Sequence, residues 1–285
     1  MKPQRSALAT ACLCLFAGVL CAAPATQNKV DDAILALKKK AQVEQLDTIA
    51  DIDHARLATQ AGQPMPAARV LLLSDAELNS QILKENIRAG LDLPFRVLAY
   101  DQSGEARLIY TDFDFIKRRH GLSAEFAPRF NATLEALVSE VTLPSAPAPT
   151  AQMAKDHGIL SLFSAHDFET TVQNLRDVVT AQQDTLWFAE IDFTKDAHSE
   201  GITLPNAIVL LFGGPAPGGI AMRAHPAIGL DAFCQKLLVY EDRAGQVHVL
   251  YNDIAAFAML HYGSSDRSHH ALNERLTQTF KSAIQ

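Results

Sequence analysis

The chain repeats itself. At a spacing of 139 residues, Ile52-Asp53 faces Ile191-Asp192, Ala58 faces Ala197, Gly62 faces Gly201, Pro66 faces Pro205, Val70-Leu71-Leu72 faces Val209-Leu210-Leu211, and Gly90-Leu91-Asp92 faces Gly229-Leu230-Asp231. The spacing becomes 140 at Tyr100/Tyr240 and 141 at Gly104/Gly245, and Tyr110/Tyr251, Asp112/Asp253 and His120/His261 then stay in step. A fixed period of this kind means a duplicated structural unit. Two single-residue insertions, both placed near a hairpin turn, are what such a unit tolerates.

Between the copies lies Leu143-Pro144-Ser145-Ala146-Pro147-Ala148-Pro149-Thr150, whose prolines are expected to exclude helix and sheet and to hold an extended spacer. The resulting organisation is a leader over 1–25, a first module over 26–142, a linker over 143–152 and a second module over 153–285. Lys2 and Arg5, the apolar run from Ala7 to Leu20 and the A-x-A site Ala23-Pro24-Ala25 read as a cleaved signal peptide, with the mature N-terminus expected between Ala23 and Thr26. That places the protein in the periplasm or outside the cell, without stable membrane insertion. Cys12, Cys14 and Cys21 fall in the leader, so the mature chain retains Cys234 alone and forms no internal disulfide.

The formal net charge is −7, and it becomes −9 once Lys2 and Arg5 leave, with 23 basic against 32 acidic residues. The acidic residues are spread over both halves, which gives no footprint for nucleic acid.

Each copy reads as one α+β module. Val30, Ile34, Leu37 and Ala41, and in the second copy Phe168, Val172, Leu175 and Val179, form apolar stripes at helical spacing, with Asp167 as N-cap. Strands are expected over 48–53 and 186–192, then 70–73 and 208–212. Hairpins follow over 96–100 with 107–111 and over 236–240 with 247–251, turned by Gly104 and Gly245. Closing helices include the stripe Leu272, Leu276, Phe280 and Ile284. The second copy has an opening strand over 158–164 that the first has no room for. The first sheet must therefore expose an edge or borrow a strand, and pseudo-symmetric packing of the modules is the economical arrangement.

Phe212-Gly213-Gly214-Pro215, Gly229-Leu230-Asp231, Leu238-Val239-Tyr240-Glu241-Asp242 and Tyr251-Asn252-Asp253, with Ile52-Asp53-His54, Gly62 and Gly90-Leu91-Asp92-Leu93-Pro94 in the first copy, resemble the bacterial and archaeal family called domain of unknown function 302. The resemblance covers about 100 residues of each half. It implies a TATA-binding-protein-like fold, a curved antiparallel sheet backed by helices, and a pseudo-symmetric monomer or homodimer. It brings no catalytic residues. The family's Asp-His pair stands as Asp53-His54 in the first copy and Asp192-Phe193 in the second. Its Gly-Asn-Pro turn stands as Gly213-Gly214-Pro215 in the second copy and Ser74-Asp75-Ala76 in the first.

The candidate chemistry divides accordingly. His54 can act in proton transfer or ligation if Asp53 orients it, although Asp53 suits a helix cap better. Gly213-Gly214-Pro215 opens a wide Gly-rich loop without P-loop or dinucleotide spacing. Met222, His225, Cys234 and His261 offer soft and imidazole donors suited to copper or haem, against a plain reading of Cys234 as a small buried hydrophobe. His120 and His261 suit helix C-termini, and His269-His270 a solvated pair. No nucleophile, base and orienter can be assigned together. The favoured expectation is a non-catalytic protein binding a small ligand, a metal or a protein partner. The alternative is an enzyme of unrecognised type using His54 or the second copy's His/Met/Cys cluster.

Overall fold

The computed structural model describes residues 23–285. The first module runs α1 (Ala23–Val43), β1 (Asp47–Asp53), α2 (His54–Gln60), β2 (Ala68–Ser74), α3 (Ala76–Glu85), a 3₁₀ turn (Ile87–Leu91), β3 (Phe95–Gln102), β4 (Glu105–Tyr110), α4 (Phe113–His120) and α5 (Ala127–Val138). The linker contributes β5 (Ser145–Pro147). The second module runs β6 (Ile159–Phe163), α6 (Phe168–Thr180), β7 (Leu186–Asp192), α7 (Phe193–Ser199), β8 (Ala207–Gly213), α8 (Pro215–Met222), a 3₁₀ turn (Pro226–Gly229), β9 (Gln235–Glu241), β10 (Val247–Asn252), α9 (Ile254–Tyr262) and α10 (Arg267–Ile284). All of the expected leader but Ala23, Pro24 and Ala25, which open α1, lies outside the described residues.

Both modules use the same local devices. Asp53 and Asp192 cap α2 and α7 through the amides of Arg56 (2.8 Å) and Lys195 (2.9 Å). Asp112 and Asp253 cap α4 and α9 through Phe115 and Ala256, and an asparagine from the following helix, Asn131 or Asn273, accepts from the first amide of each. Even the irregularities recur, since the β1–β2 ladder slips between Thr48 and Ala50 and the β7–β8 ladder between Trp187 and Ala189.

The sheets have the orders β1-β2-β3-β4-β5 and β7-β8-β9-β10-β6. All neighbours are antiparallel except β4 and β5, which run parallel. The linker is therefore a strand and not a bare spacer. It takes the edge that β6 occupies in the second sheet, so the first sheet does borrow its missing strand, from the segment that follows it. Prolines are tolerated because an edge strand bonds on one side only: the Leu108 amide donates to Pro144 O (2.9 Å) and the Ala148 amide to Tyr110 O (2.8 Å).

One face of each sheet carries its module's own helices. Phe95 packs on Phe130 of α5, with ring centroids 4.4 Å apart, and Phe212 and Tyr251 pack on Phe280 of α10. The other faces look towards the partner module. There the 3₁₀ turn of the first module lies on β8, β9 and β10, and that of the second lies on β2 and β3. Helix α2 packs on α8 and α3 on α7, while β1 lies against β7. Each contact is the pseudo-two-fold image of another or of itself, so the modules clasp by exchanging arms. In the ladders Leu72 opposes Arg96 and Leu211 opposes Lys236. The spacing has therefore reached 140 before the strand begins, and the first insertion lies in the loop entering β9 rather than at the hairpin turn. No helix among the described residues is long and apolar enough to cross a membrane.

Candidate functional site

Arm exchange buries charge. Asp92 and Asp231, the last residues of the two Gly-Leu-Asp motifs, are fully buried, as are Arg96 and Arg119. Arg119 Nη1 donates to both oxygens of Asp92 (2.8 and 2.7 Å), Arg96 Nη2 donates to Asp92 Oδ1 (2.8 Å), and His120 Nε2 lies 2.5 Å from Asp92 Oδ2. In the second module His261 Nε2 meets Asp231 Oδ2 at 2.7 Å, and Arg96 reaches across to Asp231 Oδ1 at 3.4 Å. Arg119 also crosses the interface, donating to Asn252 Oδ1 (2.7 Å), while Asn252 donates to Asp231 O (2.7 Å).

Burial alone would raise the Asp92 carboxyl, but the Arg119 and Arg96 guanidiniums and His120 hold it well below the ordinary carboxylate range. Burial similarly opposes, and His261 and Arg96 outweigh it for, a lowered Asp231. His120 is pushed down by burial against the pull of Asp92, so it serves as a neutral donor. His120 and His261 are therefore partners of buried aspartates, not caps for helix dipoles. At the position equivalent to Arg96, Lys236 is buried, and desolvation followed by the Arg96 charge lowers its amine to about 7.

Beside this network a narrow cleft runs between the modules. Its lining includes His54, Leu57 and Met65 from the first module and Phe188, Gly213, Gly214, Pro215, Met222, Phe233 and Cys234 from the second. The structure thus brings together all four sequence-derived binding candidates, His54, Gly213, Gly214 and Pro215, and adds Met222 and Cys234 from the metal candidates. The cleft has room for about 20 Å³, one water or one ion. That is far too small for haem, which removes the haem reading at this site.

His54 opens α2, and its Nε2 is buried without a hydrogen-bond partner among the described residues. Burial pushes the ring down to about 4, and the Lys236 charge adds to this against a pull from the nearby Gly229 backbone, which does not reach hydrogen-bond geometry with the ring. The imidazole is neutral at ordinary pH. Asp53 does not orient it: one oxygen caps α2 and the other bonds the Arg56 guanidinium (2.5 Å). The Asp53-His54 relay is not formed.

The Gly-rich segment is not a wide loop. Gly214 is the N-cap of α8, and Pro215 opens that helix. Its φ of −98° is open to any residue. What excludes a side chain is space, since a β-carbon on Gly214 would stand 2.7 Å from Pro217 Cγ and one on Gly219 would stand 2.6 Å from Ala58 Cβ and 2.7 Å from Gln63 O. Gly219 lets α8 approach α2, while Gly214 leaves room for the first turn of α8 itself.

The four metal candidates do not form one centre. Met222 and Cys234 line the cleft, His261 is bound to Asp231, and His225 groups instead with Asp266 and His269, whose ligand atoms lie within 4.8 Å of one another. That group sits at the N-terminus of α10, where the helix dipole opposes a cation. Its His269 is also occupied: Nδ1 accepts from the Asp266 amide (3.0 Å) and Nε2 donates to Ala221 O (2.9 Å). His269 is fully buried, so the His269-His270 pair is not a solvated one. Cys234 is buried and its thiol is raised to about 11 by desolvation, consistent with a small buried residue in the free protein.

Sequence reasoning missed the buried Asp92–Arg96–Arg119 centre, α3 and α8. The signal for the first was present: Gly-Leu-Asp recurs in both copies together with the His120/His261 pair that binds it.

Fold and site define a class, a pseudo-two-fold α+β protein whose two modules clasp through exchanged arms and enclose a small cleft at their interface. The family model described as Domain of unknown function DUF302 matches residues 23–141 and 160–283. The chain belongs to that family and carries its domain twice. Among curated proteins it is similar to the Fluoride-specific ion channel FluC 1 of Brucella suis biovar 1 (strain 1330), 28% identical over 105 residues, covering 36% of this chain and 41% of the relative. The FluC 1 of Brucella abortus biovar 1 (strain 9-941) matches at 28% over 105 residues, 36% of this chain and 39% of the relative. The chain spans about two-fifths of the length of these curated relatives. A solved structure, the uncharacterized conserved protein DUF302 from Bacillus stearothermophilus, is 11% identical, with a TM-score of 0.37 over 45% of this chain and 95% of the other.

Proposed function

We propose that this is an exported, non-catalytic binding protein whose interface cleft takes one small ligand. The observation that carries the reading is His54 Nε2: a buried, neutral imidazole nitrogen without a partner among the described residues, lining a cleft of about 20 Å³. An unmet buried polar atom costs about 1–3 kcal/mol, and a ligand contact would recover that. Binding is favoured over catalysis because, among the described residues, His54 has neither an acid partner nor an activated nucleophile beside it, Asp53 being engaged elsewhere and Cys234 being protonated.

Assembly of the cleft from both halves fits the complementary losses of the repeat, with the histidine kept in one module and the Gly-Gly-Pro turn in the other. The modules then act as one pseudo-symmetric unit. A thermal-shift screen of the full chain against small ions and metabolites tests the reading. We expect at least one probe to raise the midpoint of the parent but not of His54→Phe; a panel without any His54-dependent shift would overturn it.

A further inference from the structure

We propose that the cleft is a site for a single copper(I) ion, held by His54 and Met65 of the first module and Met222 and Cys234 of the second. This rests on the reading of the cleft as a binding site and names its ligand. The two modules supply two donors each, so the site exists only when they are clasped. Gly229 is where two of the donor side chains come together: a β-carbon there would stand 2.6 Å from the Met222 methyl carbon and 3.4 Å from His54 Nε2, so the missing side chain leaves room for both beside the same backbone. His54, which lines the cleft, keeps a buried Nε2 without a hydrogen-bond partner among the described residues.

The donor chemistry selects the metal. Two thioethers, a thiol and an imidazole form a soft set, which suits copper(I), whereas magnesium, calcium and manganese favour carboxylate ligands, and the lining has no carboxylate side chain. Net charge selects further. On binding, the Cys234 S–H bond breaks, an S–Cu bond forms and the proton leaves to solvent, with no change of oxidation state. Thiolate and monovalent ion then cancel, and a buried site avoids uncompensated charge. A divalent ion would leave a net positive charge in the buried cleft.

Anaerobic titration of the full chain with copper(I) against the chromophoric competitor bicinchoninate tests this. We expect the parent to withhold one equivalent from the competitor, and Met222→Leu and Cys234→Ala each to weaken binding at least tenfold. Met153→Leu, buried outside the cleft, should bind as the parent does. Should Cys234→Ala fail to fold, Met65→Leu replaces it, because Met65 is only half-buried. No equivalent withheld, or withholding that survives Met222→Leu and Met65→Leu, would overturn the copper assignment. If copper fails while another probe shows a His54-dependent thermal shift, the cleft remains a binding site for a different ligand. If none does, both readings fall.

Discussion

The imidazole of His54 presses on Gly229 so closely that a β-carbon there would stand 3.2 Å from its Cδ2. The pseudo-symmetric contact is Phe193 on Gly90, where a β-carbon would stand 2.9 Å from the ring. Both are the first residue of the short helix that follows the equivalent strands β1 and β7, and both rest on the glycine of the other module's Gly-Leu-Asp motif. One contact is apolar and closed. The other replaces a ring carbon with an unmet nitrogen beside a cleft, and the proposed binding role rests on that difference.

The buried aspartates should be unequal. Asp92 accepts from Arg96, Arg119 and His120, whereas Asp231 has His261 at 2.7 Å and Arg96 at only 3.4 Å. Removing one partner of a buried ion group costs about 3–5 kcal/mol because the other charges stay behind. We expect Asp92→Asn to lose stability in that range and Asp231→Asn clearly less, read from urea midpoints at constant slope.

The same cluster predicts acid sensitivity. His120 has a folded pKa below its ordinary 6.5, so the unfolded chain takes the proton first and stability falls as pH drops below about 6.5. Asp92, held below its ordinary 3.8, contributes stability that is present above that value and is lost as pH falls through its lower folded pKa. Denaturation of the parent beside His120→Gln between pH 7 and pH 4 should show a shallower decline in the variant. Parallel curves would contradict this assignment.

Close approach should separate two glycines. A β-carbon on Gly219 meets a backbone oxygen, Gln63 O, at 2.7 Å, while one on Gly229 chiefly meets the flexible end of Met222. Overpacking against atoms that cannot swing away costs about 1–3 kcal/mol. We expect Gly219→Ala to fall in that range and Gly229→Ala to cost less, both measured by thermal denaturation.

Much of this fold was legible in the chain because duplication reports each element twice. The stripes Val30-Ile34-Leu37-Ala41 and Leu272-Leu276-Phe280-Ile284 lie on helices, and the hairpins turn at Gly104 and Gly245, at φ +89° and +81°. Helix α8 was hidden because Pro215, Pro217, Gly218 and Gly219 read as loop, whereas contact with α2 selects small residues there. The linker strand was hidden for a related reason, since proline propensity says nothing about an edge that bonds on one side. Of the site, His54 and Gly213-Gly214-Pro215 could be named from complementary losses between copies. Met65 could not, because its role depends on which surfaces of the two modules meet.

The linker's pairing should be visible in solution. The amides of Leu108 and Ala148 bond across the β4–β5 edge, so hydrogen exchange should show both protected in the full chain. Rapid exchange at Ala148 would mean that the segment is a spacer after all.

The most direct measurement compares the parent with His54→Phe, which installs the residue that the second module carries at the same place. Native mass spectrometry of protein isolated without chelators reads occupancy, and the urea midpoint of each preparation reads the fold. We expect a small bound mass on the parent that disappears on denaturation and is missing from His54→Phe, with the variant's midpoint near that of the parent stripped of its ligand. Equal occupancy in both proteins, or a variant whose midpoint collapses with its occupancy, would contradict a binding role for His54.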